Sequence, residues 1–374
     1  MRIRGENMEY VKFKDVAYFV TGKLNSNAAK VNGKYAFFTC APEPLKTDSY
    51  SFDKEAILLA GNNAEGNFHI NLFNGKFDAY QRTYVIDVLD KNKLNLQYLF
   101  YILKMNLAHL KNISRGTSTK FLTATIINDF DIPYPSIEIQ NKFAKILNCI
   151  DQKLILNKEI NNNLSKICNN IFHNHLNKYK NKIEYRKIVD VAEKVVTGKT
   201  PSTSNKDFWD GVVPFITIPD MHNQIFTIKT ERKISEIGAK SIIPKNSISV
   251  SCIATVGLVS INTEDSQTNQ QINSLVLKND YDLYFLYEYL SEQEEFMKSI
   301  AGGSTTYNIN KNTFENIEIP YLPKELLVDF NNKVCNMFGK IKNNQYENER
   351  LSELRDTLLP KLMNGEIDLD NIEI

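Results

Sequence analysis

The chain has 374 residues, is 42% hydrophobic and 24% charged, and carries a formal net charge of +1. That length exceeds what one hydrophobic core usually organises, and the composition is that of a folded protein, so two or more domains are expected and wholesale disorder is excluded. The near balance of charge argues against an indiscriminate polycation, yet allows basic strips offset by acidic helices elsewhere.

In chain order, the start Met1-Arg-Ile-Arg-Gly-Glu6 lacks the apolar core of a signal peptide. No run approaches the ~18 apolar residues of a membrane span. A cytoplasmic protein with no membrane partner is the expectation. The first half then reads as strand-rich. Tyr35-Ala-Phe-Phe-Thr39, Glu55-Ala-Ile-Leu-Leu-Ala60 and Arg82-Thr-Tyr-Val-Ile86 are short apolar runs bounded by Gly, Asn, Asp and Pro. A short helix is expected over residues 96–107.

Pro133 and Pro135 then bar a helix until just beyond them. After them, apolar residues recur at Ile139, Phe143, Ile146, Ile150, Ile160, Leu164, Ile167 and Ile171. Steps of three, four or their sum keep one helical face apolar, the pattern of a coiled-coil seam. About 38 residues at 1.5 Å each would span nearly 60 Å. His173 and His175 lie two apart near its end, so they point to different faces and are expected to be solvated.

The second half repeats the plan. Phe215-Ile-Thr-Ile218 reads as a strand, Ser247-Ile-Ser-Val-Ser-Cys-Ile253 alternates as a half-buried strand should, and a helix is expected over residues 281–295. A second seam follows at Leu326, Phe330, Met337, Leu351, Leu354 and Leu358, with Pro360 near its end.

The repetition is literal. Arg115-Gly-Thr-Ser-Thr-Lys120 stands opposite Gly302-Gly-Ser-Thr-Thr-Tyr307, and from there the two stretches run in register, 187 residues apart, for about sixty residues. Ile132-Pro-Tyr-Pro135 meets Ile319-Pro-Tyr-Leu322, Phe143 meets Phe330 and Leu164 meets Leu351. Earlier parts match loosely: Asp15-Val-Ala17 with Val20-Thr-Gly-Lys23 echoes Asp190-Val-Ala192 with Val196-Thr-Gly-Lys199. A unit this long is no solenoid repeat but a duplicated domain plus helix. Both seams weaken at Asn157 and Asn344, which hold equivalent positions. A buried polar residue there would fix helix register at a cost in stability; splayed helices with solvated asparagines are the alternative.

Several strings carry a resemblance to a known family. Val196-Thr-Gly-Lys-Thr-Pro-Ser202, Phe208-Trp-Asp-Gly211, Val213-Pro-Phe-Ile-Thr-Ile-Pro-Asp-Met221 and Thr268-Asn-Gln-Gln-Ile-Asn273 resemble a target recognition domain of type I restriction–modification specificity subunits. The first half has Lys34-Tyr-Ala-Phe-Phe-Thr39, Leu59-Ala-Gly-Asn62 and Phe77-Asp-Ala-Tyr-Gln-Arg-Thr-Tyr84, and Leu358-Leu-Pro-Lys-Leu-Met-Asn-Gly-Glu366 is similar to the family's usual ending. The resemblance implies an α+β chain with two mixed α/β recognition domains in pseudo-twofold arrangement, separated by two long antiparallel coiled-coil helices. Its expected parts are recognition domains over 1–136 and 181–322 and helical spacers over 137–180 and 323–374. It implies a non-catalytic reader of an asymmetric bipartite site in double-stranded DNA. Two methyltransferase subunits would dock on it, and two motor-nuclease restriction subunits with them. S-adenosylmethionine, Mg²⁺ and ATP would bind those partners, leaving this chain without a cofactor.

Phosphate contact needs Lys, Arg or backbone N–H donors, and base reading needs Arg, Lys, Asn or Gln reaching groove edges. The candidates are therefore Lys23, Gln81, Arg82, Arg115, Thr117, Ser118 and Lys120 in the first half, and Lys199, Thr200, Gln270, Gln271, Ser304, Thr305 and Thr306 in the second. Each has a plainer alternative. Gly-Ser-Thr loops are common turns, lone lysines are usually solvated, the glutamines could bond strand backbone, and aromatics such as Trp209 are more often core than base-stacking groups.

Rival classes fit less well. A self-contained methyltransferase needs an Asn/Asp-Pro-Pro-aromatic motif, and Asp131-Ile-Pro-Tyr134 has isoleucine where the first proline belongs. Val196-Thr-Gly-Lys-Thr200 lacks the first glycine of a phosphate loop, and Glu292, Glu294 and Glu295 read as a solvated helix face rather than a nuclease cluster. Cys40, Cys149, Cys168, Cys252 and Cys335 form no CxxC pair, so reduced, mostly buried thiols are expected and no metal site. A protein-only coiled-coil adaptor would explain the helices but not two divergent globular halves. A DNA reader serving another defence complex stays open.

Overall fold

The computed structural model describes residues 2–3, 6–7, 9–117, 119–302 and 307–363, with residues 2, 3, 6, 7, 359, 362 and 363 as backbone. The chain divides into two compact units, Met1–Gln152 with Glu353–Ile374, and Lys153–Ser352.

The first unit is built on a six-stranded sheet in the order Ala17–Thr21, Thr83–Val88, Phe52–Ala60, Ile70–Ala79, Tyr35–Phe38, Leu45–Thr47. All pairings are antiparallel except that of Tyr35–Phe38 with Ile70–Ala79. Ala56 to Ala60 are buried without a break, because this strand sits inside the sheet. Helix Leu96–Met105 packs over it, its first turn closed by Asn95, whose side chain accepts from the Tyr98 N–H. The long helix Ile137–Lys178 begins here, and its buried Gln140 donates to the Lys93 and Pro135 carbonyls and accepts from the Asn95 N–H. At the far edge of the unit Asp151 takes hydrogen bonds from the Tyr101 hydroxyl at 3.0 Å and from Arg355 Nη1 at 3.1 Å.

The second unit holds a five-stranded sheet in the order Ala192–Thr197, Ile272–Leu277, Ile248–Ser251, Val259–Asn262, Phe226–Thr227. A four-stranded sheet runs Arg232–Ile234, Trp209–Ile216, Ser266–Thr268, Ile242–Ile243. Every residue of Ile248–Ser251 is buried, not alternate ones as the sequence suggested. The strand is interior to its sheet, and the hydroxyls of Ser249 and Ser274 satisfy each other at 3.0 Å. The helix expected over residues 281–295 is two, Leu283–Ser291 and Glu294–Ile300, just as the first half breaks at Asn106 into Leu96–Met105 and Leu107–Ile113.

Both long helices form, over Ile137–Lys178 and Lys324–Met363. In the second unit they run antiparallel: Asn157 meets Glu347 and Asn348, Asn161 meets Asn344, Phe172 meets Phe330, and His175 meets Leu326. Their phase corrects the expected seam. The buried positions are Gln140, Phe143, Ala144, Leu147, Ile150, Leu154, Asn157, Cys168, Phe172 and His175, while Ile167 is 46% exposed. On the second helix they are Leu327, Phe330, Val334, Phe338, Ile341 and Asn344, while Leu354 lies outside. His175 is therefore not solvated: it is 3% exposed and its Nε2 lies 2.9 Å from the Leu326 carbonyl, whereas His173 is exposed. Burial holds the His175 pKa below its usual value. Of the five cysteines only Cys168 and Cys252 are buried; Cys149 is exposed, because it faces away from the seam.

Asn157 and Asn344 are 0% and 1% exposed, so the helices do not splay there. Asn157 Nδ2 donates to Glu347 Oε2 at 2.8 Å and Asn348 Oδ1 at 2.9 Å, and Asn344 Nδ2 donates to Asn161 Oδ1 at 2.8 Å. Both buried Oδ1 atoms lack a partner among the described residues. Such an acceptor costs about 1–3 kcal/mol, so the double substitution Asn157→Leu with Asn344→Leu is expected to raise stability by about 1–2 kcal/mol. Urea denaturation checks this, and a variant less stable than the parent would show that the amides' donor bonds outweigh their orphaned acceptors.

Candidate nucleic-acid interface

Three stretches far apart in sequence converge in the first unit. The strand Ala17–Thr21 runs into Gly22 and Lys23, and Leu24 bridges Tyr80 while its carbonyl accepts from the Gln81 N–H at 3.0 Å. This places Lys23 beside Gln81 and Arg82, all three exposed. The Arg82 guanidinium lies 5.4 Å over the Phe121 ring, and Phe121 exchanges two backbone hydrogen bonds with Arg115 at 3.0 and 2.7 Å. Lys120 and Phe121 also pair with Asn63 and Asn62. The Gly61 N–H donates to the Arg82 carbonyl at 2.8 Å and the Leu122 N–H to the Gly61 carbonyl at 2.9 Å, so Lys23, Gln81, Arg82, Arg115 and Lys120 lie along one backbone-bonded path, with Thr117 exposed on the loop between the last two.

The second unit builds the same junction. The Gly198 N–H donates to the Ile272 carbonyl at 3.0 Å and the Lys199 N–H to the Thr268 carbonyl at 2.9 Å. Thr200 Oγ1 donates to Gln270 Oε1, and Gln271 Oε1 accepts from Asn269 Nδ2 at 3.0 Å. The Gln271 carbonyl accepts from the Cys252 N–H at 2.8 Å, and the Cys252 carbonyl accepts from Ile309 at 2.8 Å, beside the exchange between Gly302 and Asn308. Ser118, Ser304, Thr305 and Thr306 lie outside the described residues.

The Thr-Gly-Lys segments are pinned strand ends, since Gly22 and Gly198 are buried against neighbouring backbone and donate into it. The side chains of Gln270 and Gln271 bond Thr200 and Asn269 rather than strand backbone. Phe121 and Asn63 complete the first junction and carry no local signal, because only the pairing of residues 62–63 with 120–121 brings them there. Among the described residues no group of three or more His, Cys, Asp or Glu is placed to hold a metal ion, and no helix is long and apolar enough to cross a membrane.

Residues 5–166 and 180–329 match the family model of the type I restriction modification DNA specificity domain. The type I restriction enzyme HindI specificity subunit of Haemophilus influenzae is 47% identical over 191 residues, which is 49% of this chain and 41% of that protein. The EcoDI specificity subunit of Escherichia coli is 36% identical over 140 residues, 37% of this chain and 30% of that one. The chain thus matches less than half the length of these curated relatives. The crystal structure of a type I restriction–modification S subunit from M. genitalium shares the fold, with a TM-score of 0.68 at 18% identity over 96% of this chain and 97% of that one. With both globular parts matched and the same fold throughout, the chain belongs to the type I restriction modification DNA specificity domain family.

Proposed function

We propose that this chain is the sequence-reading subunit of a type I restriction–modification complex, working in the cytoplasm and catalysing nothing itself. Residues 1–136 read one half of an asymmetric bipartite target in double-stranded DNA and residues 181–322 read the other. The helices over 137–180 and 323–374 set the gap between the half-sites. Asn157 and Asn344 fix the register of those helices. Two methyltransferase subunits dock on the chain and two restriction subunits join through them; S-adenosylmethionine, Mg²⁺ and ATP belong to those partners.

One observation supports this reading above all. The same junction of strand end and polar turn is built twice, with Lys23-Gln81-Arg82 at one and Lys199-Gln270-Gln271 at the other. A conserved scaffold with exchanged polar side chains is what reading two different half-sites requires, since phosphate contacts position a protein and base contacts specify the sequence.

The test is a methylation-protection assay on the whole chain purified with its cognate methyltransferase subunit. Protection of one bipartite site, weakened steeply by salt, is the expected result. Methylation without preference for any bipartite site would end the proposal.

A further inference from the structure

Trp209 opens the strand Trp209–Ile216, and the pairing of that strand with Arg232–Ile234 slips between Trp209 and Val213. Asp210, at φ 58°, supplies the left-handed residue of this irregularity. The slip re-aims the indole. Its Nε1–H donates to the Ser202 carbonyl at 3.0 Å, and the ring stands edge-on to buried Phe215 with centroids 5.4 Å apart. Arg232 lies with its guanidinium carbon 3.5 Å above the indole centroid.

Arg232 is exposed, and among the described residues no acceptor takes its guanidinium N–H groups. A guanidinium stacked on an aromatic face keeps its planar fork in one orientation, so little freedom is lost when the fork binds a ligand. The platform abuts the interface described above. Ser202, which holds the indole, lies two residues beyond Thr200, which bonds Gln270; and the strand Ser266–Thr268, parallel neighbour of Trp209–Ile216, runs straight into Asn269-Gln270-Gln271.

The first half has the same strands and different chemistry. Leu45–Thr47 pairs with Tyr35–Phe38, which runs parallel to Ile70–Ala79, as Arg232–Ile234 pairs with Trp209–Ile216 beside Ser266–Thr268. There Tyr35 and Tyr50 pack at 4.9 Å and Lys76 lies over Tyr50, so no fork is presented.

We propose that Arg232, held flat on Trp209, is a base-reading side chain of the second half and recognises a guanine in the major groove of its half-site. Guanine is the base that offers two acceptors, O6 and N7, to one guanidinium edge; adenine presents an acceptor beside a donor and thymine a single acceptor. The inference rests on the DNA-reading function proposed above and deepens it.

The experiment maps methylated sites for the intact complex with the parent chain, Arg232→Lys and Arg232→Ala. Arg232→Lys keeps the charge and removes the fork. The expected result is a parent target with a guanine in one half-site, at which both substitutions relax the preference by about tenfold or more, leaving the other half-site unchanged. Two outcomes overturn Arg232's role while leaving the reader intact: an unaltered target, or a uniform loss of binding with base preference kept, which marks a phosphate contact. A parent complex with no site preference would overturn the DNA-reading function itself, and Arg232's role with it.

Discussion

Gly22→Val is expected to cost the first unit about 3 kcal/mol or more and, under the proposed function, to erase reading of one half-site only. A Cβ at Gly22 would fall 1.9 Å from the Ala79 carbonyl oxygen and 2.6 Å from that of Tyr80. Both contacts are backbone, so no side chain can swing away. Relief requires Ala17–Thr21 to part from Thr83–Val88, or the turn bearing Gln81 and Arg82 to shift away from Lys23. Gly198 repeats the situation, with a Cβ 2.1 Å from the Asn269 carbonyl oxygen and 2.4 Å from that of Thr268. The two substitutions should therefore act on different half-sites. Trp209 is the sole tryptophan and lies in the second unit, so its fluorescence in urea follows Gly198→Val directly. An unchanged urea midpoint for Gly198→Val would show that the close approach is relieved cheaply. Loss of both half-sites from either substitution would show that the two junctions do not read separately.

What the sequence made legible, and what it hid, follows from the range of the interactions. The long helices and the duplication could be read because their signals are local and sustained: an apolar step pattern over some forty residues, and a fixed spacing of 187 that holds through the matched stretch. The seam's phase beyond Asn157 was misread because its buried positions include Cys168 and His175, which an apolar count passes over in favour of Ile160 and Ile167. The strand Ile248–Ser251 was misjudged for a related reason, since buried serines that bond each other look polar in sequence. The candidate loops were found by residue type. Their convergence was not, because it depends on pairings such as Leu24 with Tyr80 and Asn63 with Lys120, and no local pattern encodes a pairing across that many residues. Arg232 escaped altogether: its neighbour Trp209 was weighed as core, and only the slipped register brings the two together.

The second large effect expected is a loss of stability as pH rises through neutrality, removed by Glu288→Gln. Glu288 sits on the helix Leu283–Ser291, 3% exposed. Its Oε2 accepts from Asn169 Nδ2 at 3.2 Å, and the same amide donates to Glu292 Oε1 at 2.6 Å, which also lies 2.7 Å from His173 Nε2. Glu292 is therefore engaged by two partners rather than part of a purely solvated face. The neighbouring Cys168 stays a neutral thiol, since burial pushes its pKa up to about 12. Burial, and then the charge of Glu292, push Glu288 up to about 7, against the pull of Asn169 and His173. In the unfolded chain the same carboxyl titrates near 4.5. Between those two values the folded state holds a proton that the unfolded state has lost, so this contribution to stability is complete below the lower value and disappears as pH passes the upper one. A shift of this size corresponds to stabilisation of about 3 kcal/mol. Glutamine keeps the acceptor for Asn169 and cannot ionise. The variant should match the parent near pH 4.5 and exceed it by about 3 kcal/mol at pH 8, as read by urea denaturation through Trp209 fluorescence. Comparing the two proteins at each pH cancels the titration of His175, which both share. If the stability difference between them stayed constant from pH 5 to 8, Glu288 would be ionised in the folded state throughout, and the pH dependence would have to come from other groups.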